Sequence, residues 1–197
     1  ETIELGFGYH LLDEAGKSPV ALSVKTSIEG DYNFTERYTE NIQVMVERSV
    51  THYVHLFFSP AVHINSNAGG RFGPQQLFPD NAAAAAFRQP QNTGSFGFGA
   101  DARIRPSVSL MFEFTPRVGF EMGNLIPLFD SKFNIIGFKN DSEPEIGIGI
   151  QKRIGRHSFS LTLSNTQTTT TSRYNSSNLA LSPSNFTIGF NLFRRLF

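Results

Sequence analysis

The feature that most constrains this chain is a strict alternation of apolar with polar or small residues, repeated along most of its 197 positions. In the first stretch Ile3, Leu5 and Phe7 share one parity, and small or polar residues stand between them. A period of two places apolar and polar side chains on opposite faces of a β-strand. Nine such stretches lie at roughly 3–11, 20–28, 42–50, 53–65, 95–105, 107–118, 144–153, 157–165 and 185–196. The sequence therefore predicts an all-β fold with nine strands.

The links between the predicted strands alternate in length. Short turns are predicted at 13–18, 50–51, 105–106 and 154–156. Long polar links are predicted at about 29–41, 66–94, 119–143 and 166–184, and a single helical turn at 82–86. Transmembrane barrels have short turns on one side of the membrane and long loops on the other. We therefore predict an antiparallel transmembrane β-barrel, with residues 1–197 as a single domain.

Composition agrees with this interpretation and excludes several other classes of protein. Charged residues make up 17% of the chain, against roughly 25% in soluble domains. Seventeen basic and seventeen acidic residues leave no net charge, which argues against a nucleic-acid partner. Cysteine is absent, so thiolate metal sites and disulfides are excluded. No segment approaches the ~20 apolar residues of a membrane helix.

Strand parity divides the side chains between the lipid bilayer and the barrel lumen. Arg48, Lys152 and Arg194 share the apolar parity but lie beside short turns, where long cationic side chains reach the membrane surface. The lipid-facing prediction covers Val54, Leu56, Phe58, Phe112, Phe114, Ile148, Leu161 and Ile188. The lumen-facing prediction covers Lys25, Glu47, Asp101, Arg103, Glu113 and Arg117. These charges either pair within the lumen or line a water-filled path, because an unpaired buried charge is costly.

The last predicted strand carries an expected assembly signal. Phe190 lies on its apolar parity and the sequence ends at Phe197, which has the opposite parity. A bulge near 193–195 would correct the phase; otherwise Leu196 faces lipid in place of Phe197. A terminal aromatic residue after an amphipathic strand predicts recognition by the outer-membrane assembly machinery.

Several segments resemble a family of membrane-bound β-barrel proteins of unknown function. They are TIELGFGYHLL, ENIQVMVERSVTHYVHLFFSPAVHINSN, MFEFTPRVGF, KRIGRHSFSLTLSNTQ and FTIGFNLFRRLF. The more specific marks are the turn at 155–159, the SNTQ that follows its strand, and the GFN at 189–191. The resemblance implies a barrel in the outer membrane of a Gram-negative bacterium. It implies no activity and no catalytic residues.

The residues with catalytic or metal-binding potential form no recognisable constellation. His55 and His63 share a strand face but stand about 26 Å apart. No serine and histidine lie side by side on the outer face of adjacent strands, as a serine hydrolase on the barrel wall requires. We therefore expect no enzymatic activity, no metal site and no cofactor.

Three functional interpretations remain from the sequence. The first is a porin-like narrow channel or small-ligand carrier. The second is a non-transporting scaffold whose outer loops anchor a surface protein, and the third is a soluble β-barrel or sandwich binder. Since bacterial single-chain barrels hold an even number of strands, nine strands predict an incomplete barrel, and the resemblance suggests twelve strands in total. Alternatively, 133–138 is a tenth strand.

Overall fold

A computed structural model of the chain describes residues 2–31, 34–66, 78–86, 92–118, 125–140, 143–166, 170–172 and 185–194. Nine antiparallel strands form one sheet that curls into half a barrel, which confirms the predicted all-β fold and its nine barrel strands. In chain order the strands are β1 (Thr2–Leu12), β2 (Ala21–Asp31), β3 (Glu36–Ser49), β4 (Val54–Ile64), β5 (Thr93–Arg105), β6 (Val108–Thr115), β7 (Arg117–Val118), β8 (Leu125–Phe129), β9 (Ile135–Asn140), β10 (Glu145–Ile154), β11 (His157–Ser164) and β12 (Thr187–Arg194).

Each strand of the main sheet pairs with its neighbour in the order β1-β2-β3-β4-β5-β6-β10-β11-β12. The predicted strand 107–118 is interrupted at Pro116, which has no backbone N–H to give to the ladder. β7 follows the proline and continues in the same register on β5, where Ser95 pairs with Arg117. For this strand the sequence therefore predicted the correct location and missed only a local interruption.

The first long link was predicted wrongly. β2 continues to Asp31 and β3 begins at Glu36, so the predicted link 29–41 shrinks to residues 32–35. Backbone pairing does not require an apolar outer face, and the ladder continues through the polar residues at the ends of both strands. The links 65–92, 116–144 and 165–186 are long, and the antiparallel order places all of them at the same end as the 32–35 hairpin. We call this the long-loop end, and the opposite one the short-turn end.

The link between β7 and β10 contains a hairpin that the sequence analysis treated as a polar loop. β8 and β9 pair only with each other, in a two-stranded sheet separate from the main one. The alternative tenth strand at 133–138 therefore exists as β9 but does not enter the barrel wall.

The predicted helical turn is confirmed as α1 (Ala82–Ala86). The Phe78 and Phe138 rings lie 6.0 Å apart, which packs the segment before α1 against the hairpin. None of the helices in the described residues is long and apolar enough to cross a membrane.

The distribution of side chains is the reverse of that in a water-soluble domain. The largest fully buried side chains in the described residues are polar: His63, Glu145, Asn41 and Asn165. Ala61 and Ala84 are the buried hydrophobic residues among those described. Most of the large apolar side chains of the described strands lie on the outer face of the sheet, which therefore needs lipid around it.

The two edge strands of the sheet lack a described partner on one side. Outward residues of the edge strands are the more exposed, at 67% for Phe7 and 69% for Ile188, against 45% for Leu56 in the middle of the sheet. Since β1 and β12 are the first and the ninth strand of an antiparallel series, they run in the same direction. An antiparallel closure between them requires an odd number of further strands. The expected total of twelve satisfies this requirement and stays a prediction.

Candidate functional site: the lumen

The concave face of the curled sheet encloses a cavity of about 1050 Å³. Inward side chains of β3–β6 and of β10–β12 line it. Four of the residues predicted to face the lumen are part of this lining: Glu47, Asp101, Arg103 and Glu113. The cavity is the size of a small-molecule site, since such sites occupy about 300–1,000 Å³.

Glycines are frequent on the inward parity, and three of them, Gly147, Gly149 and Gly189, line this cavity. Gly97, Gly99, Gly147, Gly149 and Gly189 all face the interior, where larger side chains would fill the half-barrel. At Gly99 an added Cβ would overlap the ring of Phe57, because the ring of this inward residue covers the glycine. The alternation of glycine with large apolar residues, visible in the sequence, thus sets the depth of the lumen.

Among the side chains that the structure describes, acidic ones outnumber basic ones on the inward face. The described carboxylates are Glu4, Glu29, Glu47, Asp101, Glu113 and Glu145, and the cations are Lys25, Arg103 and Arg153. Toward the short-turn end, His55 Nδ1 lies 3.7 Å from Glu47 Oε1 and 3.0 Å from Ser49 Oγ. The described inward side chains therefore carry a net negative charge.

At the short-turn end, Glu14 joins the β1–β2 turn to the end of β3. Glu14 lies outside the membrane-spanning strands. Its carboxylate accepts hydrogen bonds from the Ser49 hydroxyl at 2.5 Å and from the Ser49 backbone N–H at 3.0 Å. These bonds, with the nearby charge of Arg48, hold the pKa of Glu14 below its ordinary value. The β1–β2 turn is thereby fastened to the end of β3.

A buried polar network fills the lumen at the long-loop end of β2–β5. Asn41 is its centre: Nδ2 donates to Ser27 Oγ at 3.1 Å and to Glu29 Oε1 at 2.7 Å. Because both contacts use the amide nitrogen, Oδ1 of Asn41 accepts from His63 Nδ1 at 2.7 Å. His63 Nε2 is then 3.0 Å from Ser95 Oγ. The network ties four strands together across their inner face.

The link between β11 and β12 contributes the residues 170–172 to the same end of the lumen. Thr171 donates to Glu4 through its backbone N–H (2.9 Å) and its hydroxyl (2.6 Å). Ser172 donates to Glu29 through its backbone N–H (2.6 Å) and its hydroxyl (2.7 Å). Lys25 Nζ lies 3.0 Å from both Glu4 Oε1 and Thr171 Oγ1. A loop segment is therefore held inside by two carboxylates of β1 and β2.

The structure places the other predicted residues as follows. Lys25 belongs to this hydrogen-bonded group and does not line the cavity. The side chain of Arg117 and the whole of Phe197 lie outside the described residues. Phe190 is 67% exposed on the outer face. The residues predicted to face lipid all lie on that outer face and are exposed or half-buried: Val54, Leu56, Phe58, Phe112, Phe114, Ile148, Leu161 and Ile188.

Sequence reasoning missed most of the buried network. Glu4, Glu29 and Asn41 are polar residues on inward parity, so their direction was available from the strand pattern. The hydrogen bonds of Glu4 and Glu29 with 170–172 could not be predicted. A run of threonine and serine in a long loop carries no periodicity. Among the described residues no group of His, Asp and Glu side chains is arranged to hold a metal ion.

Comparison with known proteins gives one match. A family model described as "Membrane bound beta barrel domain (DUF5777)" matches residues 2–196. No curated protein and no solved structure matches the chain.

Proposed function

Because this chain belongs to the family of membrane-bound β-barrel domains DUF5777, we propose that it resides in a bacterial outer membrane and admits small polar solutes to its lumen, as a narrow channel or a carrier. Membership of the family makes it a membrane β-barrel domain of unknown activity. Its location in the outer membrane and its passage or binding of small polar solutes are what we propose.

The links and the cations support an outer-membrane location. Long links leave one end of the sheet, as in outer-membrane barrels with short periplasmic turns. Arg48, Lys152 and Arg194 are exposed on the outer face next to the short-turn end, where their charges reach lipid headgroups. The outer face between them is apolar.

The cavity is the observation that carries the proposal of a solute path. Its lining combines charged, amide and hydroxyl groups and inward glycines with the apolar side chains of Met45, Phe57 and Met111, so that small polar solutes find both hydrogen-bond partners and space. A barrel that served only as a wall in the membrane would gain stability by filling this space with packed side chains.

Reconstitution in planar bilayers tests the proposal. We expect a small conductance that prefers cations, because carboxylates outnumber cationic groups on the inward face. In the double variant Asp101→Asn, Glu47→Gln the preference for cations should fall, since both side chains line the cavity. Glu40→Gln is the matched control, because Glu40 is exposed on the outer parity of β3. Absence of any current, together with no stabilisation by any small polar solute, would reject the proposal.

A second candidate function is a scaffold that holds a partner protein, and the β8–β9 hairpin favours it. Phe133 at its tip is 86% exposed and has a left-handed backbone, φ 61°. A bulky residue is strained in this region, and exposure of its ring adds no stability. The carboxylate of Asp130 accepts from the backbone N–H groups of Lys132 and Asn134, both at 2.8 Å, which fixes the tip. Rigid exposed aromatic residues are typical anchors of protein interfaces.

The substitution Phe133→Asn tests the scaffold. Asparagine tolerates the left-handed conformation, so the free protein should become more stable by about 1 kcal/mol, measured by urea unfolding in vesicles. A photoreactive amino acid at position 133 should form an adduct with one defined surface protein in cells. The same amino acid at Lys139, exposed on β9, is the control. Equal adducts from both positions, or none from either, would count against the hairpin as an anchor.

Hydrogen bonds at the hairpin tip also change the pKa of Asp130. The backbone N–H and the side-chain amide of Asn134 lower the pKa of Asp130, so its carboxylate stays ionised in mildly acidic solution. The contacts that fix Phe133 are therefore kept under those conditions.

A further inference from the structure

A serine, a histidine and an asparagine are joined by hydrogen bonds on the inner face of β3, β4 and β5. The predicted absence of a serine–histidine pair concerned the outer face alone. On the inner face His63 pairs in register with Asn41 of β3 and Thr93 of β5, and Ser95 lies two residues further along β5. His63 Nδ1 is 2.7 Å from Asn41 Oδ1, and His63 Nε2 is 3.0 Å from Ser95 Oγ. We call Ser95, His63 and Asn41 the triad.

The hydrogen bonds of Asn41 determine which nitrogen of His63 carries the proton. A carboxylate accepts hydrogen bonds and cannot donate one, so the atom of Asn41 that is 2.7 Å from Glu29 Oε1 is the amide nitrogen. The amide oxygen therefore faces His63 and accepts from Nδ1–H. In the neutral imidazole Nε2 then has no proton and accepts from the Ser95 hydroxyl. His63 is thus in the tautomer that can take the proton of Ser95.

Two other serine–histidine contacts lack this arrangement. Ser49 Oγ lies 3.0 Å from His55 Nδ1, but its hydroxyl donates to the Glu14 carboxylate and is not available to the imidazole. Ser23 Oγ lies 2.7 Å from His10 Nδ1, and no carboxylate or amide in the described part of the chain is hydrogen-bonded to that ring. Among the described residues the triad therefore combines a nucleophile, a base and a group that orients the base.

We propose that Ser95 is a nucleophile that takes the acyl group from small esters inside the lumen, with His63 as its general base and Asn41 as the positioning residue. Ser95 Oγ attacks the carbonyl carbon while its proton passes to His63 Nε2, which gives it to the departing alcohol. Water then attacks the acyl-serine with the same base. The products are the acid, the alcohol and the free serine.

The position of Ser95 allows a solute in the cavity to reach it. Ser95 is half-buried, and Gly97 is the next inward residue of β5. Gly97 pairs in register with Ser59, which lines the cavity. Successive inward residues of a strand are about 7 Å apart, so the triad lies one inward position from the cavity lining. The activity goes beyond the proposed function and shares with it the entry of small solutes.

A small dialkyl fluorophosphate tests the nucleophile in protein refolded into vesicles. A serine oxygen activated by His63 displaces fluoride from phosphorus, and the mass of the protein should rise by one dialkylphosphoryl group. Peptide mass spectrometry should place the adduct on Ser95 and not on Ser49, which is the internal control. Ser95→Ala should lose the adduct and should hydrolyse nitrophenyl acetate roughly tenfold more slowly, or slower still. No adduct on Ser95, or equal adducts on Ser49 and Ser95, would overturn the proposal.

A cysteine at position 95 tests the base without altering His63. The chain has no cysteine of its own, so an introduced thiol is the sole target of neutral iodoacetamide. At about pH 6 an isolated thiol is protonated, whereas a thiol beside an imidazole forms the reactive thiolate. Ser95→Cys should therefore react roughly tenfold faster or more than Ser59→Cys. Position 59 lines the cavity, and the described hydrogen bond of Ser59 is with Gln43. An equal or slower rate at position 95 would contradict activation by His63.

Planar bilayers separate the triad from the proposed function. An adduct on Ser95 in a protein that passes no current would support the nucleophile and reject the channel. A current in a protein whose Ser95 takes no adduct would keep the channel and reject the nucleophile. Both signals together would support both proposals.

Discussion

Ile148→Arg is expected to destabilise the inserted barrel by about 2–4 kcal/mol. Ile148 lies near the middle of β10, on the outer face, and its side chain is 50% exposed there. An arginine at this depth cannot reach either membrane surface, so its charge meets hydrocarbon. Refolding into vesicles, followed by urea titration, measures the change in the free energy of unfolding.

Thr162→Arg is the matched control for this substitution. Thr162 pairs with Gly149 in the register of β10 and β11, so it lies at nearly the same depth, but it lines the cavity. An arginine there meets water and the acidic inward face, and we expect a loss of about 1 kcal/mol or less. Equal losses from the two substitutions would show that the assignment of the faces is wrong.

The two faces of the strands were predictable because the period of a strand is two. Once one residue of β10 faces lipid, the directions of the others follow, and the glycines at 147 and 149 lie opposite the isoleucines. The same rule explains why Phe57 covers Gly99 inside the lumen. Sequence alone therefore predicted the strands of the wall and their alternating faces, but it named only four of the residues that line the cavity: Glu47, Asp101, Arg103 and Glu113.

The ends of the strands and the structure of the loops could not be predicted from this period of two. β2 and β3 extend beyond their apolar residues because the backbone ladder has no need of an apolar face. The β8–β9 hairpin contains apolar residues but stands apart from the sheet, and only the pairing of strands shows this. The hydrogen bonds of Ser172 with Glu29 and of Thr171 with Glu4 join residues 143 and 167 positions apart in the chain, which no local pattern encodes.

Asn41→Ala is expected to cost about 2–4 kcal/mol of unfolding free energy, the second large effect that we predict. Asn41 is 1% exposed, and its amide contacts Ser27, Glu29 and His63, which are all buried. Alanine removes one hydrogen bond from each of the three at once, while Glu29 keeps its bonds from Ser172 and His63 keeps its contact with Ser95. Each buried polar group left without a partner costs about 1–3 kcal/mol, and water recovers part of the loss.

Gln43→Ala separates this effect from the mere loss of an amide on β3. Gln43 lies two residues further along the same face, is half-buried and donates one hydrogen bond, to Ser59 Oγ at 2.6 Å. We expect it to cost about 1 kcal/mol or less, because the cavity lets water take the place of the amide. Urea unfolding in vesicles compares the two variants. Similar losses for Asn41→Ala and Gln43→Ala would mean that the long-loop end is hydrated and that its network does not stabilise the barrel.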